Sequence, residues 1–202
     1  MASIYDLKPK FQALLRPLTK GLAKIGVTAN QVTVFAALLS FAAGACVAVW
    51  PTESWPLLVI PGLLFSRMAL NAIDGMLARE HDMKSNLGAV LNEIGDAVSD
   101  SVLYLPLAMV PAFRPELVVA AVTLAVISEM AGVVAVQIGA TRRYDGPMGK
   151  SDRAFVFGLL CLLLGCGVAI EQWLDVILGI VIFLLVLTIF NRSSKALKEI
   201  RA

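Results

Sequence analysis

The sequence predicts an all-α integral membrane protein in which an N-terminal amphipathic surface helix precedes six transmembrane helices. Three observations predict it: the bulk composition, the recurring apolar runs and the placement of the basic residues. Of the 202 residues, 58% are hydrophobic and 16% are charged, and the mean hydropathy is +0.81. A soluble domain of this length needs a more polar surface than this composition supplies. Residues 1–202 are therefore interpreted as a single membrane domain.

Residues 1–30 are predicted to form the surface helix and a linker. Between Ile4 and Ile25 the apolar residues recur at helical spacing, whereas the basic residues point to other faces. This pattern is typical of a helix that lies on an anionic membrane surface, although packing against a partner is an alternative. The apolar face comprises Ile4, Leu7, Phe11, Leu14, Leu15, Leu18, Leu22 and Ile25.

Residues 31–191 are predicted to form a six-helix bundle, and residues 192–202 a cytoplasmic tail. Each apolar run is long enough to cross about 30 Å of hydrocarbon as a helix. An even number of spans leaves both termini on the same side of the membrane. The predicted spans lie near residues 31–50, 57–78, 86–110, 116–140, 154–171 and 174–191.

The basic residues indicate which side of the membrane the termini face. On one side of the membrane, Arg114 is the single basic residue in the predicted loops. Arg67 lies inside the second predicted span. Cytoplasmic loops collect Lys and Arg, so both termini are predicted to be cytoplasmic, in a multi-pass protein of the inner (cytoplasmic) membrane. The other fifteen basic residues share the second side: Lys8, Lys10, Arg16, Lys20, Lys24, Arg79, Lys84, Arg142, Arg143, Lys150, Arg153, Arg192, Lys195, Lys198 and Arg201.

Two polar stripes interrupt the second and third predicted spans near their cytoplasmic ends. Polar groups inside a span are costly, so such stripes predict function. Residues three or four apart share a helix face, and a short loop makes consecutive helices antiparallel neighbours, so we expect the stripes to face each other. The first stripe comprises Asn71, Asp74, Gly75 and Ala78, and the second comprises Gly88, Asn92 and Asp96.

Carboxylates gathered in a desolvated site repel one another unless a cation joins them. Hard oxygen ligands favour Mg²⁺ or Mn²⁺, which also bind phosphates. Glu93 and Asp100 are close enough in sequence to contribute. Glu129, in the fourth predicted span, is expected to be structural, either facing the same cavity or pairing with Arg67. Small and polar residues also hold transmembrane helices together, and this remains the alternative explanation of the stripes.

The spacing of the stripes resembles the signature of the CDP-alcohol phosphatidyltransferases. That signature is an Asp, two residues, Asp-Gly, two residues, Ala-Arg, eight residues, Gly, three residues, Asp, three residues and a final Asp. Asn71 and Asn92 replace its first and third aspartates. A segment ending in Asn30 also resembles the family's Thr-Pro-Asn element, and Gly149-Lys150 its Gly-Lys element. The residues that match with every gap retained are Asp74, Gly75, Ala78, Arg79, Gly88 and Asp96.

The resemblance implies a reaction in which an acceptor hydroxyl attacks the β-phosphorus of a CDP-linked lipid such as CDP-diacylglycerol and releases CMP. It implies one or two Mg²⁺ or Mn²⁺ ions held by Asp74 and Asp96, with Asn71 and Asn92 as neutral ligands. Asp96 is also the expected general base, and Asp74 the principal metal ligand.

The rest of the implied site binds the substrate. Arg79 is expected to bind a phosphate, and Gly75, Ala78 and Gly88 to shape the nucleotide site. Asn30 and Lys150 complete the expected cofactor-binding set. The expected partners are the CDP-linked lipid, an acceptor alcohol, membrane lipids and a second copy in a homodimer, with no nucleic acid.

Two other functions remain open. The phosphotransferase is the favoured function, and the two asparagines motivate the first alternative, a catalytically impaired homologue that acts as a lipid-binding or regulatory membrane protein. The polar stripes could instead line the pathway of a small transporter, although the sequence has no inverted repeat to support it. The sequence leaves the acceptor alcohol undetermined.

Overall fold

Seven α-helices and one 3₁₀ turn make up most of the chain that the computed structural model describes. It describes the backbone of residues 4–201, and the side chains of residues 10–201 apart from Glu171. The predicted surface-helix residues Ile4, Leu7 and Lys8 have side chains outside this range. The helices are α1 (Ile4–Lys24), α2 (Ala29–Val49), α3 (Ser54–Glu80), α4 (Asn86–Tyr104), α5 (Pro115–Gln137), α6 (Lys150–Gly165) and α7 (Glu171–Glu199), with the 3₁₀ turn at Leu105–Met109.

Local hydrogen bonds set the first residues of three of these helices. Thr28 caps α2, because its hydroxyl accepts from the amide of Gln31 while the Gln31 side chain accepts from the amide of Thr28. Ser85 caps α4 by accepting from the amide of Gly88 at 2.9 Å. Asp152 accepts from the amide of Gly149 just before α6, also at 2.9 Å. Side-chain oxygens at these positions satisfy amides that have no partner within the helix.

Helix α2 packs against both α3 and α4, whereas α3 and α4 do not pack along each other within the described chain. The expected neighbours α3 and α4 therefore meet through side chains, as where Arg67 on α3 binds Asp100 on α4, rather than through close backbone packing. The buried face of α2 carries small residues, including Ala36, Ser40 and Gly44. A Cβ added to Gly44 would lie 1.9 Å from the carbonyl oxygen of Val102, so the backbones of α2 and α4 touch at this point. Small residues permit such close packing, and α2 fits between the two helices.

Four of the described helices are long and apolar enough to cross a membrane, namely α2, α3, α5 and α7. Helix α4 carries Glu93, Asp96 and Asp100, and α6 has only 16 residues, which span about 24 Å at 1.5 Å per residue. The sequence-predicted spans therefore correspond to described helices, but the membrane-spanning role of α4 and α6 stays a prediction.

The segment predicted as a separate tail is the continuation of the last helix, because α7 extends to Glu199. Arg192 is 2% exposed, and its guanidinium donates to the carbonyl of Asp145. Lys195 binds the carboxylate of Asp145, and Glu199 accepts from Thr141 and Arg143. These contacts to the α5–α6 loop explain why the helix continues past the apolar run.

Helix α1 lies against α3. The guanidinium of Arg16 binds the carboxylate of Glu80 through two hydrogen bonds of 2.9 and 3.0 Å. On the apolar face of α1, Leu15 and Leu22 pack against a buried cluster from α2 and α3, while Leu14 and Leu18 are exposed. Protein therefore covers only part of that face.

Candidate active site

Asp74 is a buried carboxylate on α3 that forms no direct ion pair among the described residues, although Lys150 lies within electrostatic reach of it. It is 6% exposed, and its Oδ2 accepts a hydrogen bond of 2.8 Å from the hydroxyl of Thr33 on α2. One neutral hydroxyl offsets little of the cost of burying a charge. Asp74 therefore has the surroundings of a residue that binds a cation from outside the chain.

Asp96 lies on α4, within electrostatic reach of Asp74. Its carboxylate Oδ1 contacts the ammonium of Lys150, the first residue of α6. Both side chains are half-buried, with 26% and 30% of their surface exposed. The fold thus brings the two signature carboxylates and Lys150, which are far apart in the sequence, into one site.

Two signature glycines lie where a side chain would collide with a predicted site residue. A Cβ on Gly75 would lie 3.0 Å from the guanidinium of Arg79, one turn later on α3. A Cβ on Gly88 would lie 2.7 Å from the amide oxygen of Asn30. Because Asn30 also approaches Ser85 at 3.5 Å, the start of α2 lies against the start of α4. Because it has no side chain, Gly75 leaves room for Arg79, and Gly88 leaves room for Asn30.

The two asparagines differ in exposure. Asn71 is half-buried and lies one turn before Asp74, whereas Asn92 is exposed and lies one turn before Asp96. No group of three or more His, Cys, Asp or Glu residues converges within the described chain. The available donors, two carboxylates with amide oxygens beside them, are hard oxygen ligands and fit Mg²⁺ or Mn²⁺.

Asp100, one turn beyond Asp96, belongs to a separate set of contacts. It is 5% exposed and is bound on one side by Arg67 and on the other by Arg153, each at 3.0 Å. Arg67 and Arg153 are themselves 4% and 1% exposed. The two arginines bind both carboxylate oxygens of Asp100, so this acid, which its sequence position suggested as an additional metal ligand, is already paired within the protein.

Glu129 on α5 continues this set of contacts. It binds Arg153 and Arg142, each at 3.1 Å, and Arg192 at 3.2 Å. The expected pairing of Glu129 with Arg67 is wrong, because Asp100 takes Arg67. Arg142 in turn binds Glu93 at 2.9 Å, so Glu93 is also paired within the protein. We call these residues the buried ion network: Arg67, Glu93, Asp100, Glu129, Arg142, Arg153 and Arg192.

The remaining charges of the α5–α6 loop are paired as well. Arg143 binds Asp145 and Glu199, each at 2.7 Å, and Lys195 binds Asp145 at 2.7 Å. Partial burial raises the pKa of Asp145, but the hydrogen bonds from Lys195 and Arg143 outweigh it and hold that pKa below its ordinary value. These residues fasten the loop to α7, whereas Lys150, directly after the loop at the start of α6, contacts the signature carboxylate of Asp96.

Sequence reasoning missed two polar contacts at the site. Thr33 hydrogen-bonds Asp74, and Ser85 contacts both Gly88 and Asn30. Thr33 follows Asn30 by three residues and so shares its face of α2, which could have marked it. Ser85 precedes the first residue of α4, a common position for a capping serine.

The fold is similar to that of solved Mycobacterium tuberculosis phosphatidylinositol phosphate synthase (PgsA1) structures. The structure with CDP-DAG bound has a TM-score of 0.76 at 20% identity, over 89% of this chain and 92% of that one. The complex with manganese and citrate has a TM-score of 0.72 at 19% identity, over 89% and 87% of the two chains. At these identities the likeness concerns the fold.

Comparison of sequences identifies a relative of higher identity than these fold neighbours. The chain is 42% identical to the inner membrane protein YnbA of Escherichia coli (strain K12) over 195 residues, which cover 96% of each protein. The sequence profile of the CDP-alcohol phosphatidyltransferase family matches residues 26–194, which include α2 to α6 and most of α7. Both the signature and the fold agree with this match, and the chain belongs to the CDP-alcohol phosphatidyltransferase family.

Proposed function

We propose that this protein is a metal-dependent phosphotransferase of phospholipid biosynthesis, which moves a phosphatidyl group from a CDP-linked lipid to an acceptor alcohol. The observation that carries the proposal is the pair of signature carboxylates in one site, where buried Asp74 forms no direct ion pair within the described chain. Such an unpaired charge is costly in a membrane protein and marks a site that binds a cation. Family membership supplies the reaction class.

The reaction breaks the bond between the β-phosphorus and the bridging oxygen and forms a bond from the acceptor oxygen to that phosphorus. CMP leaves with the electron pair on the former bridging oxygen. A divalent ion at Asp74 and Asp96 would supply charge stabilisation for the pyrophosphate and the departing CMP.

The protein groups position the reactants and move the proton. Asp96 accepts the proton of the acceptor hydroxyl at a carboxylate oxygen. Thr33 holds Oδ2 of Asp74 in one orientation. Arg79 binds a phosphate beside Gly75, where the glycine leaves room for it. Asn30, Ala78 and Gly88 form the wall that faces the cytidine.

Named relatives support the substrate class and the location. One fold neighbour is described with CDP-DAG bound and another in complex with manganese, so we propose CDP-diacylglycerol as the lipid and Mg²⁺ or Mn²⁺ as the ion. The relative YnbA is named an inner membrane protein. We place this chain in the same membrane, with six spans and with both termini and the active site on the cytoplasmic side.

The decisive experiment measures CMP release by the purified full-length protein from CDP-diacylglycerol with Mg²⁺ or Mn²⁺ and a panel of acceptors. Glycerol phosphate, inositol phosphate, serine and a sugar alcohol form the panel. We expect release with at least one acceptor and its loss on chelation of the metal. Asp175→Asn is the matched control, because Asp175 pairs with Arg114 far from the site. No release with any acceptor would overturn the proposal.

The second candidate is the catalytically impaired homologue. Asn71 and Asn92 motivate it, since they leave the site with fewer anionic ligands than the family signature. Under that reading the protein would bind CDP-diacylglycerol without releasing CMP, and restoring both aspartates would create activity. The same assay on the double variant Asn71→Asp with Asn92→Asp therefore distinguishes the two candidates.

The proposed orientation has its own test. Single cysteines at Lys84 and Tyr144, in a background without Cys46, Cys161 and Cys166, should resist an impermeant thiol reagent in intact cells. A cysteine at the exposed Ser54 should react, because it lies in the opposite set of loops. Labelling from outside at Lys84 or Tyr144 would overturn the six-span orientation.

A further inference from the structure

We propose that the active site takes a single divalent ion and that the ammonium of Lys150 supplies the second positive charge, on the side of Asp96. This inference rests on the proposed function and states how this chain neutralises the substrate pyrophosphate. Its basis is the contact between the Lys150 ammonium and Oδ1 of Asp96, together with the two asparagines.

Lys150 is held in place by the packing of α6. Gly149, immediately before it, donates its amide to Asp152. Arg153, one turn further, is 1% exposed and binds both Asp100 and Glu129. The Gly149–Asp152 bond thus fixes the start of α6, and Arg153 ties its first turn to α4 and α5, where the Lys150 ammonium contacts one oxygen of Asp96. A half-buried, anchored pair of this kind differs from an exposed lysine that samples many positions.

The ligand set is too poor in charge for two divalent ions. Asn71 and Asn92 offer neutral oxygens, and Asn92 is exposed. Asp74 and Asp96 are the anionic donors at the site, and Lys150 already occupies one oxygen of Asp96. The neighbouring acids do not add to them, since Arg142 binds Glu93 and two arginines bind Asp100. Two carboxylates balance the charge of one divalent ion.

The charge of the substrate also predicts one divalent ion per site. Each phosphate diester carries one negative charge. Asp74, Asp96 and the two phosphates of the substrate together carry four negative charges, and one divalent ion with Lys150 supplies three positive charges. The guanidinium of Arg79 can cancel the negative charge that remains. If a second divalent ion were added to this set, with Lys150 and Arg79 still present, the partly desolvated site would carry two uncompensated positive charges, which is unfavourable. The ammonium on Asp96 thus takes the place of a second metal ion.

Electron paramagnetic resonance of bound Mn²⁺ tests the proposal without using activity. The full-length protein in nanodiscs is titrated with Mn²⁺ alone and then with CDP added. We expect one ion per chain in both titrations, with the spectrum of an isolated ion. Asp74→Asn should lose the ion, which shows that the signal comes from this site.

Variants at the same positions give a second measurement. The triple variant Asn71→Asp, Asn92→Asp and Lys150→Met should bind two ions with the spectrum of a magnetically coupled pair. Lys150→Met alone should weaken CDP binding to the Mn²⁺-loaded protein about tenfold or more, because a charge-assisted contact is lost. Lys150→Arg should restore part of that loss. Lys198→Met, at an exposed position of α7, is the matched control and should change neither measurement.

A coupled pair of Mn²⁺ ions in the parent protein would overturn this inference and leave the proposed transferase intact. An unchanged CDP affinity in Lys150→Met would also overturn it. If the parent bound no Mn²⁺ with or without CDP, the metal-dependent function itself would fail, and the inference with it.

Discussion

Asp74 and Asp100 are both buried carboxylates near the same end of the bundle, yet they have opposite surroundings. Asp100 is clamped between Arg67 and Arg153, and its 5% exposure is matched by two ion pairs of 3.0 Å. Asp74, at 6% exposure, has one hydrogen bond from Thr33. A buried charge that the protein neutralises internally serves the fold, whereas one left for an external cation serves chemistry. The partners of the acids, rather than their burial, separate the two roles.

The largest expected effect tests the proposed catalytic role of Asp74. Asp74→Asn removes an anionic ligand beside the pyrophosphate, and the loss of charge stabilisation should lower CMP release by roughly a thousandfold. The rate is measured with CDP-diacylglycerol and the best acceptor of the panel, and Asp175→Asn should retain the parent rate. Parent-like release by Asp74→Asn would show that Asp74 does not anchor the metal.

A mutation in the buried ion network should lower the stability of the protein, whereas Asp74→Asn lowers its activity. Glu129→Gln leaves Arg142, Arg153 and Arg192 without their shared carboxylate, and breaking a buried ion pair should cost about 3 kcal/mol of unfolding free energy. Denaturant unfolding in detergent micelles measures it. Asp175→Asn, which breaks an exposed pair with Arg114, should shift the midpoint little. If the Glu129 variant were as stable as the parent, the network would not hold the fold.

Thr33 allows a finer test, because its hydroxyl donates directly to Asp74. Thr33→Val keeps the shape of the side chain but removes the hydrogen bond to Oδ2 of Asp74. Partners that orient a metal ligand typically contribute ten- to hundredfold, so the apparent Mn²⁺ affinity should fall by roughly that factor. Thr33→Ser should rescue it. Equal Mn²⁺ affinity in the parent and both variants would remove Thr33 from the site.

The smallest expected effect concerns the ion pair of Arg16 with Glu80, which is exposed, unlike the buried acids Asp74 and Asp100. The hydrogen bond from Arg16 holds the pKa of Glu80 below its ordinary value of 4.5. A lowered folded-state pKa stabilises the docked α1 above the unfolded-state value, and this contribution disappears as the pH falls through the folded-state value. Spin labels at Lys20 and Asp82 should therefore report a broader distance distribution below about pH 4.5. Arg16→Gln should abolish the pH dependence, and a distribution that stays narrow at low pH in the parent would show that apolar contacts alone dock α1.

Helix positions were predictable because apolar runs and caps are local features. The spans predicted near 31–50, 57–78 and 116–140 correspond to α2, α3 and α5 within a few residues. The end of α7 was not predictable in this way. Its polar last turns are helical because Arg192 and Lys195 bind the α5–α6 loop, a contact that no local pattern encodes.

The family was likewise contained in the sequence, since the signature depends on the identity and spacing of residues within two consecutive segments. Asp74, Gly75, Ala78, Arg79, Gly88 and Asp96 were identified from those gaps alone. The partners of each charge were not. Asp96 and Asp100 are one turn apart on α4, but the first contacts Lys150 and the second two buried arginines.

The sequence by itself determined that this chain is helical, rich in apolar helices and a member of its family, because composition, periodicity and motif spacing are properties of the chain. Only the tertiary structure decided which partner each acid has. That choice depends on α2 fitting between α3 and α4, which delivers Thr33 to Asp74, and on α6 starting beside α4, which delivers Lys150 to Asp96. Hydrogen bonds and ion pairs form between groups that are close in space, and the two members of each of these pairs lie more than 40 residues apart in the chain.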